Sequence, residues 1–230
     1  METEKARSRA QENLLQLYLR LNGFFLTGLI VHKDGPDGIR TEVDTLAVRH
    51  RFHCEPERVI EPSPFIGKAG QRTDLFICEV KSKGQSLQFN ARLRDEPQCV
   101  ATLIRWAGLF DPNSVNEIAE QVRKTLQTRP IASKCIPSTT TEEVRICGVI
   151  CCPERWEGGR NDPWFLGGKE IFEYIWNCFR PDPPRPECAT KYDFTAWGSE
   201  FECIVLWFKK KDMAKLPDNP MTALYEHLRI

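Results

Sequence analysis

The chain has 230 residues, of which 41% are hydrophobic and 28% charged, a composition that suits one globular domain with a single well-buried core. Lys+Arg and Asp+Glu both number 32, so the formal net charge is zero and no global field draws the molecule onto a polyanion. No apolar run reaches the roughly 20 residues of a membrane span, and the charged start METEKARSRAQEN is no signal-peptide core; the expectation is a cytoplasmic protein with no membrane partner.

In chain order, Leu14, Leu17, Tyr18 and Leu21 fall at helical spacing, which predicts an amphipathic helix over 8–21 stopped by Asn22-Gly23. The β-branched run 24–32 predicts a strand, HKDGPDGIR a tight connection, and 42–52 a second strand pairing with the first as a hairpin. Residues 56–73, with three prolines and two glycines, read as a long connection before a third strand over 75–81. Two helical segments follow, 93–110 and 113–126, separated by Asp111-Pro112. The run 143–152 predicts a buried strand, 154–168 an irregular stretch, 168–179 a helix, 180–188 a stiff proline-rich loop, 201–210 a last strand and Met221 onward a short helix. This order describes a mixed α/β sheet with helices on its faces. Cys78, Cys147, Cys151, Cys178 and Cys203 lie in apolar runs, and with no export signal they are expected to be reduced, buried thiols.

Two charged features do not belong in such strands. In ICEVKSK, alternation sends Ile77, Glu79 and Lys81 to one face and Cys78 and Val80 to the other, so Glu79 and Lys81 are neighbours. In the strand before it, Asp44 sits mid-run between Val43 and Thr45. A carboxylate in that position is costly unless it is paired or bound to a cation. Two adjacent strands that each carry such an acid would bring Asp44 and Glu79 together, where hard oxygen ligands suit Mg²⁺ or Mn²⁺. Lys81 beside them would stabilise negative charge on a phosphoryl group. The bland alternative, an intrastrand Glu79–Lys81 pair at a sheet edge, accounts for Lys81 but not for Asp44.

A helix carrying Glu12 and ending in LNGFF, a hairpin whose second strand holds E-x-D (Glu42, Asp44), and a strand holding E-x-K (Glu79, Lys81) together resemble the PD-(D/E)XK nuclease superfamily, most closely its Holliday-junction-resolvase and Mrr-like members. The resemblance covers residues 8 to 90. It implies a restriction-endonuclease-like fold: a mixed central sheet flanked by helices in an αβββαβ core over 1–152, with 153–230 as a C-terminal α/β extension. It further implies a Mg²⁺-dependent nuclease acting on DNA, with Mn²⁺ as a substitute metal, no organic cofactor, and dimerisation as the route by which relatives cut two strands. Asp44, Glu79 and the Val80 carbonyl would be the metal ligands, Lys81 would position and activate the attacking water, and Glu12 would be an accessory acid. A nuclease-fold protein that binds nucleic acid or a protein partner without cutting is the alternative.

Weaker features surround this set. Lys83 and Gln85 follow the motif and would reach a phosphate, although KSKGQ is also an ordinary strand exit. His50, His53 and Cys54 hint at a metal but lack a second cysteine pair at ligand spacing. The tryptophans at 106, 164, 176, 197 and 207 fit core better than base stacking. Gly158-Gly159 and Gly167-Gly168 have neither the spacing nor the ending of a phosphate loop.

Overall fold

The computed structural model describes residues 2–32, 39–55, 59–68, 70–127, 134–138, 142–157, 165–180 and 198–230. The hairpin turn at 33–38, most of the proline-rich loop, Gly158-Gly159, Trp164 and Trp197 lie outside them.

Helix α1 (Glu2–Leu21) starts six residues earlier than its apolar face requires, with Glu2 and Glu4 in its first turn, where carboxylates complement the helix dipole. β1 (Phe25–His32) pairs antiparallel with β2 (Ile39–Arg49), and β2 with β3 (Thr73–Val80). Helices α2 (Ala91–Asp95), α3 (Pro97–Ala107) and α4 (Val115–Gln127) then cross over to β5 (Glu143–Cys152), which runs parallel to β3. The predicted helix over 93–110 is thus two helices, broken where Pro97 opens α3 at its first turn. Two short strands escaped the sequence reading. β4 (Lys134–Pro137) pairs antiparallel with the start of β5, and β6 (Phe165–Gly167) pairs parallel with its end. The result is a six-stranded mixed sheet in the order β1-β2-β3-β5-β4, with β6 beside β5. α5 (Gly168–Phe179), α6 (Glu202–Phe208) and α7 (Pro220–Leu228) complete the described chain.

The run 201–210, expected as a strand, is a 3-10 turn (Ser199–Phe201) leading into α6. Its buried residues explain why. Phe201, Ile204, Val205 and Phe208 recur at i, i+3, i+4 and i+7, while Glu202, Cys203 and Leu206 are exposed, which is the period of a helix face. Cys203 is therefore an exposed thiol rather than a buried one, whereas Cys78, Cys147 and Cys151 are free and buried.

Hydrophobic side chains fill both faces of the sheet. Phe76 and Cys78 of β3 pack with Leu14, Tyr18, Phe172, Phe208 and Leu224 of α1, α5, α6 and α7. Leu75 and Ile77, one residue out of phase, pack with Leu93, Leu103, Ile104 and Val122 of α2, α3 and α4. β3 is thus buried on both sides, the reason its sequence reads as a continuous apolar run. Among the described residues no helix is long and apolar enough to cross a membrane.

Candidate functional site

Asp44 owes its position to a break in strand alternation. Thr27 pairs with Leu46 and Leu29 with Val43, so two steps along β1 match three along β2, and Asp44 and Thr45 both stand opposite Gly28. This is a β-bulge, a device that re-aims a side chain within a ladder. Val43 and Leu46, three apart, both serve the core beneath α2–α4, and Asp44 is freed from that core. On the other side of β2, Thr45 pairs with Cys78, which sets Asp44 level with the end of β3. There its Oδ2 accepts the Val80 backbone N–H at 2.6 Å.

Helix α1 brings the second acid. Gln11 Nε2 donates to Ser82 Oγ at 3.2 Å and Gln16 Nε2 to Thr45 Oγ1 at 3.3 Å. These bonds fix the helix across the middle of β2 and the end of β3. Glu12, between them in sequence, turns into a groove of about 920 Å³ whose lining also includes Asp44, Glu42, Lys5, Arg9 and Gln85. Arg9 Nη1 lies 3.7 Å from Glu12 Oε2.

Glu79 and Lys81 project as alternation predicts. Lys81 Nζ meets Glu79 Oε1 at 2.6 Å, with both side chains largely buried, and the Lys81 backbone N–H extends the ladder to Cys151 O at 2.7 Å. The pair does not contribute to the groove's lining. The Glu79 carboxyl is buried, with Lys81 and the Asn90 backbone N–H as its hydrogen-bonding partners.

The electrostatics follow from this packing. Burial, reinforced by Asp44 and Glu42 and opposed by Arg9, raises the Glu12 carboxyl from 4.5 to about 7. Burial also raises Asp44, against the lowering pull of the Val80 N–H and Lys81. Glu79 is raised by burial, against Lys81, with a further push from Asp44. Burial is the main cause at all three acids, and Asp44 adds a push on Glu12 and on Glu79, a condition that a cation beside Asp44 relieves. Even so, among the described residues no three His, Cys, Asp or Glu side chains stand together as a ready-made metal cluster.

The remaining predicted residues divide. Gln85 lines the groove, but its Oε1 accepts the Ser82 N–H at 3.0 Å. Lys83 faces away, into a separate pocket with Glu154 and Trp156, and its backbone N–H bonds Glu154 Oε2. His50 packs edge-on against Phe25, and His53 approaches Glu55 at 3.5 Å. Trp207 is core, whereas Trp106 is 55% exposed. Sequence reasoning missed Gln11 and Gln16, which read as ordinary polar helix residues, and Lys5 and Arg9, which only the course of α1 across the strand ends places at the groove.

A buried acid of the opposite kind marks the other end of β3. Asp74 accepts from Arg49 Nε and Nη2 on Oδ2, at 3.0 and 2.6 Å, and from Arg145 Nε on Oδ1 at 2.7 Å. Its charge is answered within the protein, so Asp74 is structural. No family model matches the chain, and neither a curated protein nor a solved structure matches it.

Proposed function

We propose that this protein is a Mg²⁺-dependent nuclease of restriction-endonuclease-like architecture that hydrolyses DNA phosphodiester bonds. One observation carries the reading: Glu12 and Asp44 share one groove, Glu79 stands against Lys81 at the neighbouring end of β3, and burial raises the pKa of all three carboxyls. The donor set fits a hard cation, since Asp44 and Glu79 offer oxygen ligands. Asp44, Glu79 and the Val80 carbonyl would hold the ion. When bound it supplies charge neutralisation on the phosphoryl oxygens and the leaving oxygen.

The chain's own residues divide the remaining work. Lys81 orients the attacking water and carries positive charge next to the phosphate. Glu12, with its pKa near 7, is balanced to exchange a proton at neutral pH. Lys5 and Arg9, on the α1 wall of the groove, take the phosphate-holding role that the sequence reading gave to Lys83.

A second reading, a nuclease-fold protein that binds nucleic acid or a protein partner without cutting, is favoured by the zero net charge and by the engagement of Lys81 with Glu79. Cleavage of supercoiled, linear and branched DNA with Mn²⁺ separates the two. Asp44→Asn is the control, because it keeps an oxygen for the Val80 N–H while removing the charge. The nuclease reading expects cutting by the native protein that disappears in Asp44→Asn. Mn²⁺ bound without cutting on any of the three substrates selects the second reading.

A further inference from the structure

Three strands, β1, β4 and β6, have a single strand partner among the described residues, and two of them are guarded. β4 is four residues long and carries Lys134 and Pro137, and β6 is three residues long; short length, lysine and proline are the usual means of blunting a sheet edge. β1 has none of them. Its eight residues, FLTGLIVH, include no proline, lysine, arginine, aspartate or glutamate. Both irregularities of the β1–β2 ladder put their extra residue in β2, so β1 keeps its own alternation along the open edge.

Side chains beside this edge are exposed on both faces of the sheet. Phe25 pairs with Val48, on the side of α2–α4, and is 67% exposed. Ile30 pairs with Glu42, on the side of the carboxylate groove, and is 45% exposed. A long, apolar, uncharged edge is a template for a further strand, and these two side chains gain from being covered.

We infer that β1 is the interface of a homodimer, pairing antiparallel with β1 of a second copy so that two six-stranded sheets become one. A second copy is the occupant this strand selects. Antiparallel pairing of a strand with itself is closed by a two-fold axis, it opposes no like charges, and at zero net charge no long-range repulsion acts against it. Full overlap of Phe25–Val31 with itself sets Gly28 on the axis, Leu26 opposite Ile30 and Phe25 opposite Val31, which covers both exposed side chains. An axis normal to the sheet keeps the two α1 helices on one side. The two grooves, each lined in part by Gly28, Leu29 and Ile30, then open on the same face, with the Asp44 positions three strand spacings apart, roughly 14 Å. A single pair of edge strands lies at the small end of interface sizes, so the dimer dissociates on dilution through the micromolar range. The inference concerns assembly and does not depend on the function proposed for the groove.

The test is sedimentation velocity of the full chain from low to high micromolar concentration, with amide hydrogen exchange measured at both ends of that range. A reversible monomer–dimer equilibrium is expected, with protection in β1 rising with concentration. Phe25→Lys and Ile30→Lys, both at exposed positions, should each weaken the dimer at least about tenfold, whereas Leu206→Lys, on the exposed face of α6, should leave it unchanged. Thermal melts of the dilute variants establish that the loss is of assembly and not of the fold, and the exchange measurement on the native protein needs no variant. A chain that stays monomeric at the highest concentration would overturn the proposal. So would a dimer that both lysine variants leave intact, or protection that grows elsewhere and not in β1.

Discussion

Substituting Glu12 by Gln should stabilise the protein, and only above the pH at which Glu12 ionises. Folding raises this carboxyl from 4.5 to about 7, chiefly through burial. Between those values the native state binds more protons than the unfolded chain, so stability falls as pH rises through the window and is level above it. At about 1.4 kcal/mol per unit of pKa, the full shift corresponds to about 3 kcal/mol. Glu12 is a quarter exposed at its side chain and open to the groove, so solvent screening reduces this to about 1–2 kcal/mol. Gln keeps the shape and removes the charge. Urea denaturation at pH 8 should therefore give Glu12→Gln an advantage of about 1–2 kcal/mol, or about 2–8 °C in Tm for a domain of this size, and the advantage should vanish at pH 4.5. A variant no more stable than the native protein at pH 8, or equally stabilised at both pH values, would refute the electrostatic account of the groove.

Three further outcomes follow from the same geometry. Lys81→Ala leaves Glu79 buried without its ammonium partner and should cost about 3 kcal/mol at pH 8; because Glu79 is already raised and rises further without Lys81, the loss should shrink at pH 5, and an equal loss at both pH values would show that the pair is not what matters. Asp74→Asn strips the anion from Arg49 and Arg145 and should destabilise by about 3–5 kcal/mol in urea, far more than Asp44→Asn, whose carboxylate forms no salt bridge among the described residues and keeps an oxygen for the Val80 N–H. Gly23→Ala meets both a φ of +84° and the His53 ring, so it should cost at least about 1–3 kcal/mol, and a neutral effect would contradict the packing of His53 on that glycine.

Much of this architecture is legible in the residues themselves. The helix of α1, the β1–β2 hairpin and the doubly buried β3 follow from periodicity, and Glu79 and Lys81 fall on one face because alternation holds along β3. Asp44 was recognisable as an acid in the wrong place, but its direction was not, because a bulge breaks the alternation on which that reading depends. Gly28, inside an otherwise largely apolar strand, is the local sign of the bulge. Asp74 and Asp44 look alike in sequence. Only the register shows that one faces two arginines and the other faces Glu12. The run FECIVLWF misled for a different reason: a short apolar segment fits both periods until its exposed positions are known, and Leu206 on the outside settles it as a helix. Asn22 and Gly23, read as a helix stop, do more. Asn22 Oδ1 accepts the Ser63 N–H at 2.9 Å, tying the 59–68 segment to α1, and Gly23 leaves room for His53.

The central claim is that Asp44 and Glu79 form a divalent-cation site, and the most direct measurement is Mn²⁺ binding followed by the loss of the free-ion electron paramagnetic resonance signal, in the native protein and in Asp44→Asn. The account predicts saturable binding at neutral pH that is lost in Asp44→Asn while the variant remains folded. Absence of binding in the native protein, or binding that survives the substitution unchanged, would contradict it.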